Sequence, residues 1–247
     1  METEKENSKS ISDEMDTPFP LWIMITFPFY AGAALAIFLF PVAGDWRWLE
    51  GWAFTITFAV ITTICVAIIN KENPRVLRNR MKTKKEGLTK ATSKSAGSDR
   101  FIAPIIALVF FTTLILPGVA HRLGWETLSL PVEMVGLCLT SIGIIIMYAA
   151  MLQNSFASKL LDINKGQVLV DTGLYARVRH PLYTGGILMI LMIPIALGFL
   201  WALIPAALSA LTIVTRIKYE EEMLIKGMDG YIEYQERVRF KLIPGIY

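Results

Sequence analysis

Long apolar runs alternate with shorter polar segments along this chain. Six of the apolar runs approach or reach the roughly 20 residues that a helix needs to cross about 30 Å of hydrocarbon. The runs are 20–40, 50–70, 101–120, 131–152, 181–198 and 201–218. Because only helices and closed barrels span membranes, runs of this length predict an all-α protein. We expect a polytopic membrane bundle of about six transmembrane helices.

The composition agrees with this pattern. Hydrophobic residues make up 54% of the 247 residues and charged residues only 18%. A soluble domain carries roughly 25% charged residues, so the composition excludes a soluble globular protein and a disordered chain. The chain has two histidines and two cysteines, and both cysteines lie inside apolar runs. No metal site is therefore expected.

The distribution of basic residues predicts the orientation in the membrane. With the N-terminus in the cytoplasm, all but Arg47 and Arg122 of the 24 lysine and arginine residues lie on the cytoplasmic side. This asymmetry follows the positive-inside rule and predicts that both termini are cytoplasmic. The net charge of +3 then indicates topology and contact with anionic membrane lipids, and it does not favour nucleic acid as a partner.

Polar segments divide the chain into four regions. These are a disordered cytoplasmic tail at 1–19, an N-terminal transmembrane helix pair at 20–70, a flexible basic cytoplasmic linker at 71–100 and a core at 101–247. The tail lacks the basic start and small-residue cleavage site of a secretory signal. Near the end of the core, Tyr231, Tyr234 and Val238 recur at helical spacing with basic residues between them. This pattern predicts a C-terminal interfacial cytoplasmic helix.

Two polar clusters lie at the inner ends of the last two predicted spans. The first contains Arg179, His180 and Pro181, and the second lies at 216–222. About 40 residues separate His180 from Glu220, which is about 60 Å of continuous helix or two bilayer thicknesses. A hairpin that crosses the membrane and returns would bring both clusters to the same cytoplasmic surface. We therefore predict one site there.

Each cluster is also compatible with a purely structural role. Arg179 suits a membrane anchor and Pro181 the first position of a helix, whereas an arginine and a histidine beside a helix N-terminus also suit an anion site. Arg216 and Glu220 share a helix face, either as a surface ion pair or as part of a site. The mainly apolar run 167–170 is compatible with a short strand, an interfacial contact or a wall against a flat ligand ring.

The order of the motifs resembles that of a known family. Arg-His-Pro-x-Tyr-x-Gly at 179–185 is followed by Arg-x-x-x-Glu-Glu at 216–221, Gly-Tyr-x-x-Tyr at 230–234 and Pro-Gly at 244–245. Together these resemble the integral membrane methyltransferases of the isoprenylcysteine carboxyl methyltransferase and phospholipid methyltransferase superfamily. The resemblance covers roughly 150–247. It implies an enzyme that binds S-adenosylmethionine at the cytoplasmic face.

The resemblance also assigns roles to individual positions. It implies a cofactor pocket formed by 154–186 and 216–247, and a lipophilic methyl acceptor that enters from the bilayer. The positions assigned to the cofactor are Gln167, Val168, Leu169, Val170, Tyr175, His180, Pro181, Leu182, Tyr183 and Glu221. Arg216 and Glu220 match the catalytic pair on the acceptor side. The family can carry histidine at the position that Gln167 occupies here.

Three acceptor chemistries are compatible with these residues. A carboxylate, such as that of an isoprenylated cysteine, is ionised at pH 7 and needs a cation such as Arg216 to hold it. A phospholipid amine or a small thiol must lose a proton, and Glu220 would then be the base. We favour the carboxylate and keep phospholipid amine N-methylation and thiol S-methylation as alternatives. The sequence makes no prediction of oligomeric state.

A non-catalytic scaffold or a transporter is the alternative of another class. Transporters place ionisable residues near the bilayer midplane. In this chain the charged residues gather toward the ends of the predicted spans, which counts against transport. A scaffold would not bind S-adenosylmethionine.

Overall fold

The computed structural model describes residues 16–81, 94–125, 128–154 and 168–247. Within these ranges the regular elements are all helices, and none is a β-strand. They are α1 Leu21–Ala43, α2 Leu49–Glu72, α3 Pro74–Met81, α4 Lys94–Leu123, α5 Leu130–Gln153, α6 Pro181–Ala196, α7 Leu203–Gly227 and α8 Tyr231–Arg237. Short 3₁₀ turns at Gly173–Ala176 and Leu200–Ala202 precede α6 and α7. The prediction of an all-α membrane bundle is confirmed.

Five of the six predicted spans are helices long and apolar enough to cross a bilayer. They are α1, α2, the part Ile102–Leu123 of α4, α5 and the stretch Leu200–Gly227 that contains α7. The remaining predicted span corresponds to α6, which is apolar but has only 16 residues. Its length is about 24 Å at the rise of an α-helix. The chain turns after it at Gly198, whose φ of +77° favours glycine. The fifth predicted span, 181–198, therefore exists as a helix of less than full span length.

The bundle has two distinct ends. At the end that we call the site end, Asn73 on the α2–α3 junction donates from Nδ2 to Leu152 O, at 3.1 Å. At the opposite end, His121 of α4 lies 3.2 Å from Asp45 in the α1–α2 connection. Each end thus joins elements that are far apart in the sequence.

One apolar core runs through the six long helices. Its buried members include Phe40 of α1, Phe54 of α2, Leu114 of α4, Ile144 of α5, Ile193 of α6 and Ile217 of α7. Leu242, near the C-terminus, belongs to the same core and is only 7% exposed. Leu242 therefore anchors the C-terminal part of the chain to the bundle, whereas residues 243–247 are exposed.

Helices α5 and α6 approach so closely that their backbones touch. A Cβ at Gly185 would lie 2.5 Å from Gly143 O, and one at Gly143 would lie 2.6 Å from Met189 N. Small residues permit such contact between membrane helices. By contrast, a Cβ at Gly186 would meet nothing within 4 Å. This contact holds α6 against α5 near its N-terminal end, where His180 lies.

The described parts of the predicted linker 71–100 are helical, which corrects the prediction of a flexible segment. Helix α2 continues through Glu72, α3 follows it, and α4 already begins at Lys94. Val76 of α3 is fully buried against Ile69 and Met151. The polar composition concealed an apolar side of α3 that packs on the bundle. Residues 82–93 lie outside the described ranges.

The last four residues of the predicted disordered tail are bound to the bundle. Phe19 N donates to Asn70 Oδ1 at 2.7 Å, and Asn70 Nδ2 donates back to Phe19 O at 3.1 Å. Asp16 pairs with Arg75 of α3. The prediction is therefore wrong for 16–19, because these residues find specific partners on α2 and α3. Residues 1–15 lie outside the described ranges.

Candidate functional site

The site begins at the N-terminus of α6. His180 is the residue that precedes the helix, and the buried Pro181 takes its first position, as the sequence predicts. Proline suits this position because its missing N–H would have no partner within the helix. The preceding loop is tied to the end of α5, where Gln153 Oε1 accepts a hydrogen bond from Leu174 N at 2.9 Å. His180 therefore has a defined place on the bundle.

The hairpin of α6 and α7 brings the two polar clusters together, as its length predicts. His180 Nδ1 lies 3.9 Å from Glu220 Oε1. Tyr183, one turn into α6, donates from its hydroxyl to Glu220 Oε2 at 2.5 Å. The Glu220 side chain is still 24% exposed. Its carboxylate is thus held in place and remains accessible to a small molecule.

Glu221 has a different environment from Glu220. Its Oε1 accepts a hydrogen bond from Arg179 Nε at 2.7 Å and lies 3.2 Å from His180 Nε2. Its Oε2 lies 2.7 Å from Lys241 Nζ. The side chain is only 8% exposed. Three side chains of the protein itself surround this carboxylate. Glu221 therefore has a supporting role, which is to hold these neighbouring side chains in place.

Arg179 is buried, and its guanidinium is engaged on several sides. Besides the bond to Glu221, Nη1 donates to Val238 O at 2.7 Å and to Arg239 O at 2.8 Å. The residue is only 8% exposed. The interpretation of Arg179 as a membrane anchor is therefore wrong, since an anchor would extend toward the membrane surface.

The C-terminal segment, residues 238–242, completes this end of the site. Arg179 N donates to Phe240 O at 3.0 Å, and His180 N donates to Lys241 O at 2.9 Å. Thr184 Oγ1 donates to Leu242 O at 2.8 Å. The sequence analysis included this segment in the implied pocket of 154–186 and 216–247, but it missed the contact of Lys241 with Glu221. The available signal was the Pro-Gly pair at 244–245, which indicates a defined turn just after this segment.

Helix α8 contributes the tyrosines of the Gly-Tyr-x-x-Tyr motif. Tyr231 and Tyr234 are buried with Val238, and Leu169 packs against them. Tyr234 also donates from its hydroxyl to Tyr175 O at 2.7 Å. Burial raises the pKa of both Tyr231 and Tyr234 above the usual range, so both phenols are neutral at physiological pH. The amphipathic helix predicted from their spacing is present.

Three other predicted cofactor positions lie outside this cluster. Val168 is 67% exposed and Val170 is half-buried. Leu182 packs against the small core of Ile69, Val76 and Met151. Residues 168–170 form no strand, so the short-strand alternative is wrong for these three positions. Gln167 lies outside the described residues.

Arg216 lies one helical turn before Glu220 on α7 and is half-buried. Since α7 runs toward the site end, Arg216 is nearer the middle of the bundle than Glu220. The structure thus places a cation on the apolar side of the accessible carboxylate. Such an arrangement suits an anionic group that is carried on a lipid-like molecule.

A comparison with protein-family models agrees with the sequence motifs. Residues 134–226 match the model of the isoprenylcysteine carboxyl methyltransferase (ICMT) family. A structure of the eukaryotic intramembrane Ras methyltransferase ICMT is 19% identical, with a TM-score of 0.46 over 92% of this chain and 86% of that chain. No curated protein matches the chain. The family match, which covers less than half of the chain, confirms the predicted resemblance for residues 134–226.

Proposed function

Because residues 134–226 carry the isoprenylcysteine carboxyl methyltransferase signature, we propose that this protein transfers a methyl group from S-adenosylmethionine to the carboxylate of an isoprenylated cysteine. The observation that carries the proposal is the meeting of His180 and Tyr183 with Glu220 inside the matched region. Two clusters about 40 residues apart in the sequence form one partly accessible polar site at the end of an apolar bundle.

The residues present suit the methyl donor. When bound, S-adenosylmethionine supplies an electrophilic methyl group on a positively charged sulfur, and its amino-acid end and adenine need polar and apolar partners respectively. Tyr183 offers a half-buried hydroxyl group, and Leu169 and Leu182 offer half-buried apolar surface. The positions that we assign to the donor are Val168, Leu169, Val170, Tyr175, His180, Pro181, Leu182 and Tyr183, with Gln167 as a prediction from the sequence. Glu221, which the resemblance also assigns to the donor, is enclosed by Arg179, His180 and Lys241, and we propose that it supports the other positions.

Methyl transfer to a carboxylate requires little acid–base catalysis. The protein has to align donor and acceptor and to exclude water. Arg216 would hold the acceptor carboxylate through its planar guanidinium. Glu220, one turn away, would orient Arg216, and Tyr183 in turn holds Glu220. A carboxylate acceptor therefore needs no general base, whereas an amine or thiol would require Glu220 to take a proton.

We further propose that the site faces the cytoplasm and that the acceptor arrives through the bilayer. The basic residues concentrate toward this end of the helices and both termini, which supports a cytoplasmic orientation. The outer face of α7 is apolar, with Ile204, Leu208 and Leu211 exposed. A prenyl chain could lie along such a surface in the hydrocarbon while its carboxylate reaches Arg216.

The proposal is tested with purified protein, methyl-labelled S-adenosylmethionine and three acceptors: a prenylated cysteine, an ethanolamine phospholipid and an alkyl thiol. We expect label in a base-labile ester of the prenylated cysteine. Arg216→Ala and Glu220→Gln should each lower the rate about 100-fold. Lys218→Met, which changes an exposed residue of the same helix, is the matched control.

Three results would contradict the proposal. Full activity in both Arg216→Ala and Glu220→Gln would show that these two residues are not the catalytic pair. Label in the phospholipid or the thiol would select an alternative acceptor. Failure to bind S-adenosylmethionine would favour the interpretation of the protein as a scaffold.

A further inference from the structure

The C-terminal segment is fastened to the start of α6 along its whole length. All five of its consecutive carbonyls, from Val238 to Leu242, accept hydrogen bonds from the stretch 179–184. Arg179 alone supplies three of these bonds, two from its guanidinium and one from its backbone N–H. His180 and Thr184 supply the others. An isolated contact would engage only one of these carbonyls, whereas here each of the five has a partner in the protein.

Helix α7 joins the same assembly through Glu221. Its carboxylate contacts both Arg179, in the loop before α6, and Lys241, in the C-terminal segment. One buried anion thus connects three pieces of chain that are distant in sequence. Because both cations share one carboxylate, displacement of either piece would leave buried charge poorly compensated.

His180 depends on this assembly for its position. Its backbone N–H is bound to Lys241 O, and its ring lies against Glu221. Glu220, by contrast, is held by Tyr183 within the α6–α7 hairpin. Release of the C-terminal segment would therefore disturb His180 more than it would disturb Glu220.

We propose that Arg179 is a positioning residue for the methyl donor, which it serves by holding the C-terminal segment against the start of α6. This inference rests on the proposed function. Arg179 touches no reacting atom. It acts through the segment 238–242 and through His180, so its loss lowers affinity for S-adenosylmethionine more than it lowers the rate of methyl transfer.

The geometry specifies arginine at this position and not merely a positive charge. The guanidinium uses Nε for Glu221 and Nη1 for two carbonyls of the C-terminal segment. Lysine has a single terminal nitrogen and cannot reproduce this fork. Arg179→Lys therefore retains the charge but releases part of the segment.

The test compares Arg179→Lys with Arg177→Lys, the same change at an exposed residue two positions earlier. Hydrogen exchange of the full chain in lipid nanodiscs, without donor, is followed in peptides that cover 179–180 and 238–247. We expect the amides at 179 and 180 to exchange about 10-fold faster in Arg179→Lys. The Kd and KM for S-adenosylmethionine should rise about 5-fold, with kcat nearly unchanged. Arg177→Lys should match the wild type in every measurement.

A second variant, Lys241→Met, keeps the backbone contacts and removes the charge that reaches Glu221. We expect the same changes as for Arg179→Lys but smaller, and it serves as the decisive variant if Arg179→Lys does not fold. Unchanged exchange overturns the inference, and so does faster exchange with unchanged donor affinity. If the wild type binds no S-adenosylmethionine and methylates no acceptor, the proposed function fails, while the exchange data still decide whether Arg179 fastens the segment.

Discussion

Two pairs of histidine and carboxylate lie at opposite ends of this bundle with the same separation. His180 Nε2 is 3.2 Å from Glu221, and His121 Nε2 is 3.2 Å from Asp45. Their surroundings differ, since the first pair has side chains only 4% and 8% exposed and the second 18% and 44%. Exposed ion pairs contribute little to stability, whereas breaking a buried pair is costly. Distance alone therefore does not identify the important contact.

The partners of the two carboxylates explain the difference. Glu221 is surrounded by Arg179 and Lys241 in addition to the histidine. Asp45 accepts a hydrogen bond from the backbone N–H of Arg47, and this bond, followed by the one from His121, lowers the pKa of Asp45. The ring of His121 stacks on the buried Trp48 at 4.9 Å. At that end, the stacking of His121 on Trp48 closes the connection between α1 and α2, and the contact between His121 and Asp45 adds to it.

The largest expected effect comes from Glu221→Gln, which preserves shape and removes the shared negative charge. Because Arg179 and Lys241 would lose their common counter-charge, we expect a destabilisation of about 3–5 kcal/mol. Thermal unfolding in detergent measures the change. Glu222→Gln, at the exposed neighbour, is the control. An unchanged melting midpoint for Glu221→Gln would show that burial does not distinguish the two pairs.

Tyr183→Phe should have an intermediate effect, on activity more than on stability. It removes the hydroxyl that holds Glu220, a charge-assisted bond worth about 1.5 kcal/mol, so kcat/KM should fall about 10-fold. Steady-state kinetics with the labelled donor measure the fall. Tyr219→Phe, on the same helix as Glu220, provides a comparison. Wild-type kinetics in Tyr183→Phe would contradict the view that the Tyr183 hydroxyl positions Glu220 for catalysis.

The smallest effect is expected for Asp45→Asn. The partly exposed carboxylate faces water, and Trp48 continues to pack on His121. Both the thermal midpoint and methyl transfer should therefore remain close to the wild-type values. A drop in stability as large as that of Glu221→Gln would refute the contrast between the two ends.

The sequence was least informative where polar composition hid a packed surface. The segment 71–100 is rich in basic residues, yet Val76 of α3 is fully buried. Likewise, residues 16–19 look like part of a charged tail, but Asn70 binds the backbone of Phe19 in both directions. One buried valine or one hydrogen-bonded amide is enough to attach such a segment to the bundle. Neither changes the composition of the segment, so composition does not reveal the attachment.

By itself the sequence determined the apolar helices, the hairpin length that brings His180 to Glu220, and the family motifs at 179–185 and 216–221. These follow from local periodicity and from the thickness of a bilayer, which chain length alone can match. Only the tertiary structure decided that Glu221 is enclosed while Glu220 stays accessible. Adjacent helical residues point about 100° apart, so the packing of Arg179 and Lys241 selects which carboxylate is buried.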